Sequence, residues 1–94
     1  MKVRVRFFTK LREITDKREE ELEVADGAAL RDVLTSVETR YGSEFREYVR
    51  NKKGDFKENL QYLVNGKNTR MLDGFDTKLK EGDTVAIVPP VGGG

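Results

Sequence analysis

The sequence predicts an α+β fold, a mixed sheet with one main helix packed across it, and three observations carry that prediction. Val3, Val5 and Phe7 alternate with Lys2, Arg4 and Arg6, which is the period of a strand with one buried face. Leu30, Val33, Leu34, Val37 and Tyr41 fall at i, i+3, i+4, i+7 and i+11, the apolar stripe of an amphipathic helix. A β-rich run from Thr84 to Val88 then ends at Pro89 and Pro90.

The first strand is predicted over residues 2–8. Phe8 departs from its alternation by placing an aromatic on the polar side, where it either covers the sheet edge or meets a partner. Thr9 to Lys17 is expected to be a connection. Arg18 to Val24 follows as a second strand with Leu22 and Val24 on one face, close enough to the first for an antiparallel hairpin. Ala25-Asp26-Gly27 punctuates the chain, and the main helix runs from Ala28 to a stop at Gly42.

Phe45, Tyr48 and Val49 repeat the helical spacing behind Ser43, the expected cap of a short second helix, and Asn51-Lys52-Lys53-Gly54-Asp55 is a polar turn. Leu60 to Val64 reads as a strand. Asn65-Gly66 is the pair that a type I′ hairpin prefers, because both residues tolerate positive φ, and Asn68 to Arg70 is the expected short return strand. Asp73-Gly74-Phe75-Asp76 and Glu81-Gly82-Asp83 are turn signals around Leu79. The order strand, strand, helix, strand, short strand, final strand is that of β-grasp (ubiquitin-like) folds.

Length and composition narrow the function. The 94 residues fit one small domain, taken as residues 1–90, followed by a glycine tail at 91–94 that is expected to be flexible. With 36% hydrophobic residues the chain builds one modest core and has little left to line a deep active site of its own, which favours a carrier over an enzyme. Eighteen basic residues against 17 acidic ones leave a formal charge of +1, so nucleic acid and anionic membrane are poor direct partners. No stretch resembles a signal peptide or a membrane span of about 20 apolar residues. A cytoplasmic protein, monomeric when free, is expected.

The chain has no Cys, and it has no His. That removes thiol nucleophiles, disulfides, Cys/His metal sites and His-based proton transfer, so no metal site is expected. What remains for covalent chemistry is carboxylates, lysines, hydroxyls and the C-terminus. Asp16, Asp73, Asp76 and Asp83 lie in connections without a paired-carboxylate spacing, which suits turn formation. Lys52, Lys53 and Lys67 are turn lysines, open to conjugation or partner contact but needing neither.

The C-terminus is the distinctive feature. Pro89-Pro90 cannot donate to a ladder, so the last strand must end there and the chain leaves in an extended direction. Val91-Gly92-Gly93-Gly94 follows, and its side-chain-free end can thread a narrow channel and reach a nucleotide phosphate. Transfer of AMP to the terminal carboxylate would create a mixed anhydride with a good leaving group. A persulfide sulfur would then yield a thiocarboxylate, and a lysine amine an amide. Read blandly, the same glycines are a frayed terminus.

Three segments carry a resemblance: Val5-Arg6-Phe7-Phe8-Thr9-Lys10-Leu11-Arg12-Glu13, Leu63-Val64-Asn65-Gly66-Lys67-Asn68, and Glu81 through Val91 ahead of the glycines. In their order and spacing the chain resembles, over nearly its whole length, the MoaD/ThiS family of ubiquitin-like sulfur carriers, with the ubiquitin-related modifier and small archaeal modifier proteins. The resemblance implies a β-grasp domain with no bound cofactor. It implies a terminal glycine that is adenylated by an ATP-using enzyme similar to the ubiquitin-activating enzymes and then receives sulfur from a donor. It also implies delivery of that sulfur to molybdopterin or tRNA thiolation, or joining of the carrier to lysine-bearing target proteins.

On this resemblance the reactive carboxylate belongs to Gly94, with Pro90, Val91, Gly92 and Gly93 as the recognised tail and Phe8, Arg12 and Arg70 as candidate partner surface. Family tails commonly end in two glycines after a small or polar residue, whereas here three follow Val91. The extra residue shifts the carboxylate by up to about 3.3–3.6 Å, so trimming or an added residue stays open beside Gly94. Three functions remain: a sulfur carrier and protein modifier, the small sulfur-donating subunit of molybdopterin synthase paired with its large subunit, and a non-catalytic β-grasp binding module.

Overall fold

In the computed structural model, which describes residues 1–90, the elements follow the order β1 (Lys2–Phe7), α1 (Lys10–Thr15), β2 (Glu19–Glu23), α2 (Leu30–Tyr41), α3 (Ser43–Val49), β3 (Gln61–Val64), β4 (Lys67–Asn68) and β5 (Thr84–Val88). Two 3-10 turns, Thr69–Met71 and Gly74–Asp76, lie between β4 and β5. The five strands form one mixed sheet in the order β2-β1-β5-β3-β4. β1 runs parallel to β5, while β1 with β2, β3 with β5 and β3 with β4 are antiparallel.

The alternation in β1 buries Val3, Val5 and Phe7 against the helices, and Val85 and Ile87 of β5 and Tyr62 and Val64 of β3 face the same way. Leu30, Val33, Leu34 and Val37 of α2 close over them, with Phe45 and Val49 of α3 and Leu11 of α1 at the flank. Each of these side chains contributes about 1.5–3 kcal/mol by leaving water. Phe7 anchors the cluster edge-on to Tyr41 and Phe45, with ring centres 5.9 and 6.5 Å away.

The ends of α2 have local causes. The Asp32 carboxylate accepts the Ala29 N–H at 2.9 Å, half of a capping box, since Ala29 offers no side-chain acceptor in return. At the other end Gly42, at φ +83°, stops the helix and starts the next. The chain between α3 and β3 is held by Arg50, which donates to Glu38 and to the Gly54 carbonyl, both at 2.6 Å, and lies 4.0 Å over the Phe56 ring. Among the described residues no helix is long and apolar enough to cross a membrane.

Four sequence expectations are corrected. The Thr9–Lys17 connection contains a helix, α1, whose Leu11 is buried; one turn and a half is too short to show a periodic stripe. Strand β1 stops at Phe7 and leaves Phe8 outside the ladder. Ser43 is the first residue of α3 and Gly42 holds the cap position. The return strand is Lys67–Asn68 only, because the Asn68 side chain accepts the Arg70 N–H at 2.9 Å and turns the chain into a 3-10 turn. Asn65 and Gly66, at φ +51° and +84°, make the hairpin as expected.

Candidate docking face and tail exit

Because the helices cover one face of the sheet, the residues of opposite parity form an open face. Across the central strands the register sets Arg6 of β1 beside Ala86 of β5, and Ala86 beside Leu63 of β3. Val88 of β5 stands opposite Gln61 of β3 in the next row towards the C-terminus. Ala86, Val88 and Leu63 are half-buried, an apolar centre with no helix on it. Towards the other edge lie Lys2, Arg4 and Arg6 of β1, opposite Glu23, Glu21 and Glu19 of β2. Arg4 meets Glu19 at 3.2 Å, so the basic stripe is partly answered by the acidic edge strand.

Phe8 completes this face. The guanidinium carbons of Arg6 and Arg12 stand 5.6 and 5.5 Å from its ring centre, and Arg12 Nε donates to the Phe7 carbonyl at 3.0 Å. Cation–π contact of this kind is worth about 0.5–1 kcal/mol at exposed sites. Since β1 and β5 are parallel, Phe8 and Arg12 lie at the pole of the sheet where β5 gives way to Pro89 and Pro90. Those two prolines are half-buried, so the chain is held against the domain up to Pro90.

The candidate site residues therefore separate. Phe8 and Arg12 come together beside the tail exit, with Pro90 at that exit. Arg70 does not join them; it lines a groove at the β3–β4 edge with Leu60, Tyr62 and Phe75. Val91, Gly92, Gly93 and Gly94 lie outside the described residues. Sequence reasoning misses Leu63, Ala86 and Val88 as surface residues; the signal is the unbroken apolar run Val85–Val88, too apolar for a strand with one wet face.

The remaining polar candidates have structural partners. Asp16 terminates α1 at φ +58°, Asp76 accepts from Arg31 at 2.9 Å, and Asp83 accepts from Asn65 Nδ2 and from the Lys80 N–H, both at 2.8 Å. Asp73 precedes the second 3-10 turn. Lys52, Lys53 and Lys67 are exposed. Glu20, on the helix side, is held below the ordinary carboxylate range by hydrogen bonds from Lys17 and Tyr41. Burial pushes the Tyr62 phenol upward, and it donates to the Lys57 carbonyl at 3.0 Å. Among the described residues no group of three or more His, Cys, Asp or Glu is placed to hold a metal ion. An apolar centre beside a partly paired basic stripe is a surface chemically suited to protein contact.

Comparison with known proteins finds relatives along the length of the chain. A model described as the ThiS family matches residues 5–94. The chain is 35% identical, over the whole of both chains (94 residues), to small archaeal modifier protein 3 of Haloferax volcanii. It is 29% identical, again over 94 residues and both full lengths, to a molybdopterin synthase sulfur carrier subunit of Chlamydomonas reinhardtii. Among solved structures, that of small archaeal modifier protein 1 from Methanosarcina acetivorans superimposes with a TM-score of 0.82 at 36% identity, covering 99% of this chain and 96% of that one.

Proposed function

Because the chain belongs to the ThiS family, we propose that it is a ubiquitin-like sulfur carrier and protein modifier activated at the Gly94 carboxylate by an ATP-dependent adenylating enzyme. The observation that carries this reading is the junction of rigid strand and tail. β5, paired on both sides, delivers the chain to Pro89-Pro90 next to the Phe8, Leu63, Ala86 and Val88 face. An enzyme seated on that face receives the next residues, Val91 to Gly94, at a fixed origin. Pro90, Val91, Gly92 and Gly93 are the segment it reads, and Phe8 and Arg12 belong to its footprint.

The chemistry needs only the carboxylate from this chain. Its oxygen attacks the α-phosphorus of ATP, pyrophosphate leaves, and the acyl-adenylate forms. A persulfide then displaces AMP to give an acyl disulfide, and a thiol cleaves it to the thiocarboxylate, releasing a mixed disulfide. A lysine amine displacing AMP gives an amide instead. ATP is bound by the enzyme, and the carrier needs no cofactor of its own. We place the reaction in the cytoplasm, where ATP is supplied.

A second reading keeps the terminus and changes the partner. The Chlamydomonas relative is named as a synthase's sulfur carrier subunit, which supports a role as the small subunit beside a large molybdopterin synthase subunit. Both readings are tested first by ATP–pyrophosphate exchange with the cognate activating enzyme. Exchange is expected with the full chain, lost on deletion of Gly93-Gly94, and at least about tenfold weaker for Leu63→Asp with Ala86→Asp, since a buried unpaired charge costs the interface about 1.4 kcal/mol or more. Exchange indifferent to the tail would refute the activation reading and leave a non-catalytic binding module.

A further inference from the structure

Met71 and Leu72 are 83% and 44% exposed, the large hydrophobic side chains that stand out in water among the described residues. They are adjacent and close the first 3-10 turn after β4. They border a shallow groove of about 650 Å³ whose rim includes Lys67, Lys78 and Lys80. A solvent-exposed methionine beside leucine is costly to leave bare and adaptable as a contact, because its thioether chain fits irregular apolar partners.

The charges around the pair are unevenly committed. Asp83 is spent on the Asn65 side chain and the Lys80 N–H. Lys78 Nζ donates only to the Gly27 carbonyl, at 3.3 Å, an acceptor without formal charge. Among the described residues, Lys67, Lys78 and Lys80 on the rim of the groove enter no salt bridge. Against these three cations stands Asp73, the other carboxylate lining the groove, whose side chain accepts no hydrogen bond among the described residues.

The position matters as much as the chemistry. The groove reaches Asp83, just ahead of β5, while the tail leaves beyond Val88. Thr84 and Pro90 are six residues apart along an extended path, about 20 Å. A protein in the groove therefore leaves the tail exit free.

We propose that the Met71–Leu72 groove is a second docking site, which takes an acidic, apolar segment of a partner protein while the opposite pole presents the tail. One or two large apolar side chains of that segment cover Met71 and Leu72, and its carboxylates answer Lys67, Lys78 and Lys80. Such an interface is small, so its affinity is weak and salt-dependent.

The test is selection of short random peptides on the immobilised full chain at low salt, followed by mapping of the enriched sequences on the ¹⁵N-labelled chain by NMR. Enriched peptides should pair Leu, Ile or Phe with Asp or Glu and shift the amides of residues 67–72 and 77–80. Met71→Ser with Leu72→Ser should weaken binding at least about tenfold, as expected of an interface centre. Lys67→Glu with Lys80→Glu should do the same and favour basic peptides instead. An unchanged melting temperature checks that these exposed substitutions leave the fold intact. Failure to enrich any peptide, binding insensitive to Met71→Ser with Leu72→Ser, shifts confined to the Phe8 and Ala86 face, or self-association through Met71 would each overturn the proposal. Neither Gly94 nor the activating enzyme enters this test, so its failure leaves the tail reading standing.

Discussion

Thr9 sits at φ +48° and ψ −117°, a region that β-branched residues rarely enter. Its neighbours explain why it is held there: the Phe8 carbonyl accepts the Leu11 N–H and the Thr9 carbonyl accepts the Arg12 N–H, each at 3.0 Å. The turn swings the chain from β1 into α1 and sets Arg12 over Phe8. Strain of this kind costs about 1–3 kcal/mol, and glycine gives back about 0.5–1 kcal/mol in backbone entropy. Thr9→Gly should then stabilise the fold by about 1 kcal/mol and raise the melting temperature by about 4–8 °C. A lower melting temperature would show the turn to be unstrained. Nothing in the residue order warns of this turn, because glycine is the usual marker of positive φ and Thr is not.

Glu20 shows the same limit from the side of charge. In the sequence it is the middle one of three consecutive glutamates, Glu19 to Glu21, with nothing local to set it apart. In the fold its side chain is only 11% exposed, and its carboxylate meets Lys17 at 2.8 Å, Arg40 at 3.0 Å and the Tyr41 hydroxyl. These contacts, the Lys17 hydrogen bond first, lower its pKa from the ordinary 4.5, so the stabilisation is present above that value and is lost as the pH falls through the lower folded value. Glu20→Gln should cost about 1 kcal/mol in chemical denaturation at neutral pH. The gap to the parent chain should close in acid. A gap that persists or widens there would contradict the assignment.

At the scale of elements, legibility follows length and period. The twelve residues of α2 carry a full stripe, which places the helix to within two residues, whereas α1, of six residues, turns inward only Leu11, the partly buried Ile14 and the polar Thr15. β5 is legible as a strand but its two faces are not told apart, since Val85, Ala86, Ile87 and Val88 are all apolar. Burial distinguishes them: Ile87 is 1% exposed, while Ala86 is half-buried on the open face. Ile87→Ala should lower unfolding free energy by about 2–5 kcal/mol, whereas Ala86→Asp should cost no more than about 1 kcal/mol. Equal losses in urea denaturation would mean that the open face is packed after all.

For the molecule as a whole, the proposed function is divided between a sheet whose last strand ends at Val88 and a tail, Val91 to Gly94, in which only Val91 has a side chain. The lack of Cys and His in the sequence points to the C-terminus as the place for covalent chemistry. The docking face is not legible in that way, because it exists only once the register brings Arg6, Ala86 and Leu63 into one row. The central claim is that the chain is a carrier loaded at its terminal carboxylate. Intact mass spectrometry tests it most directly, after incubation of the full chain with ATP, its cognate activating enzyme, a persulfide donor and a thiol. The account predicts a mass gain equal to exchange of one oxygen for sulfur, located by fragmentation at Gly94 and lost when Gly93-Gly94 is deleted. An unmodified terminus under conditions that load a control carrier would contradict it.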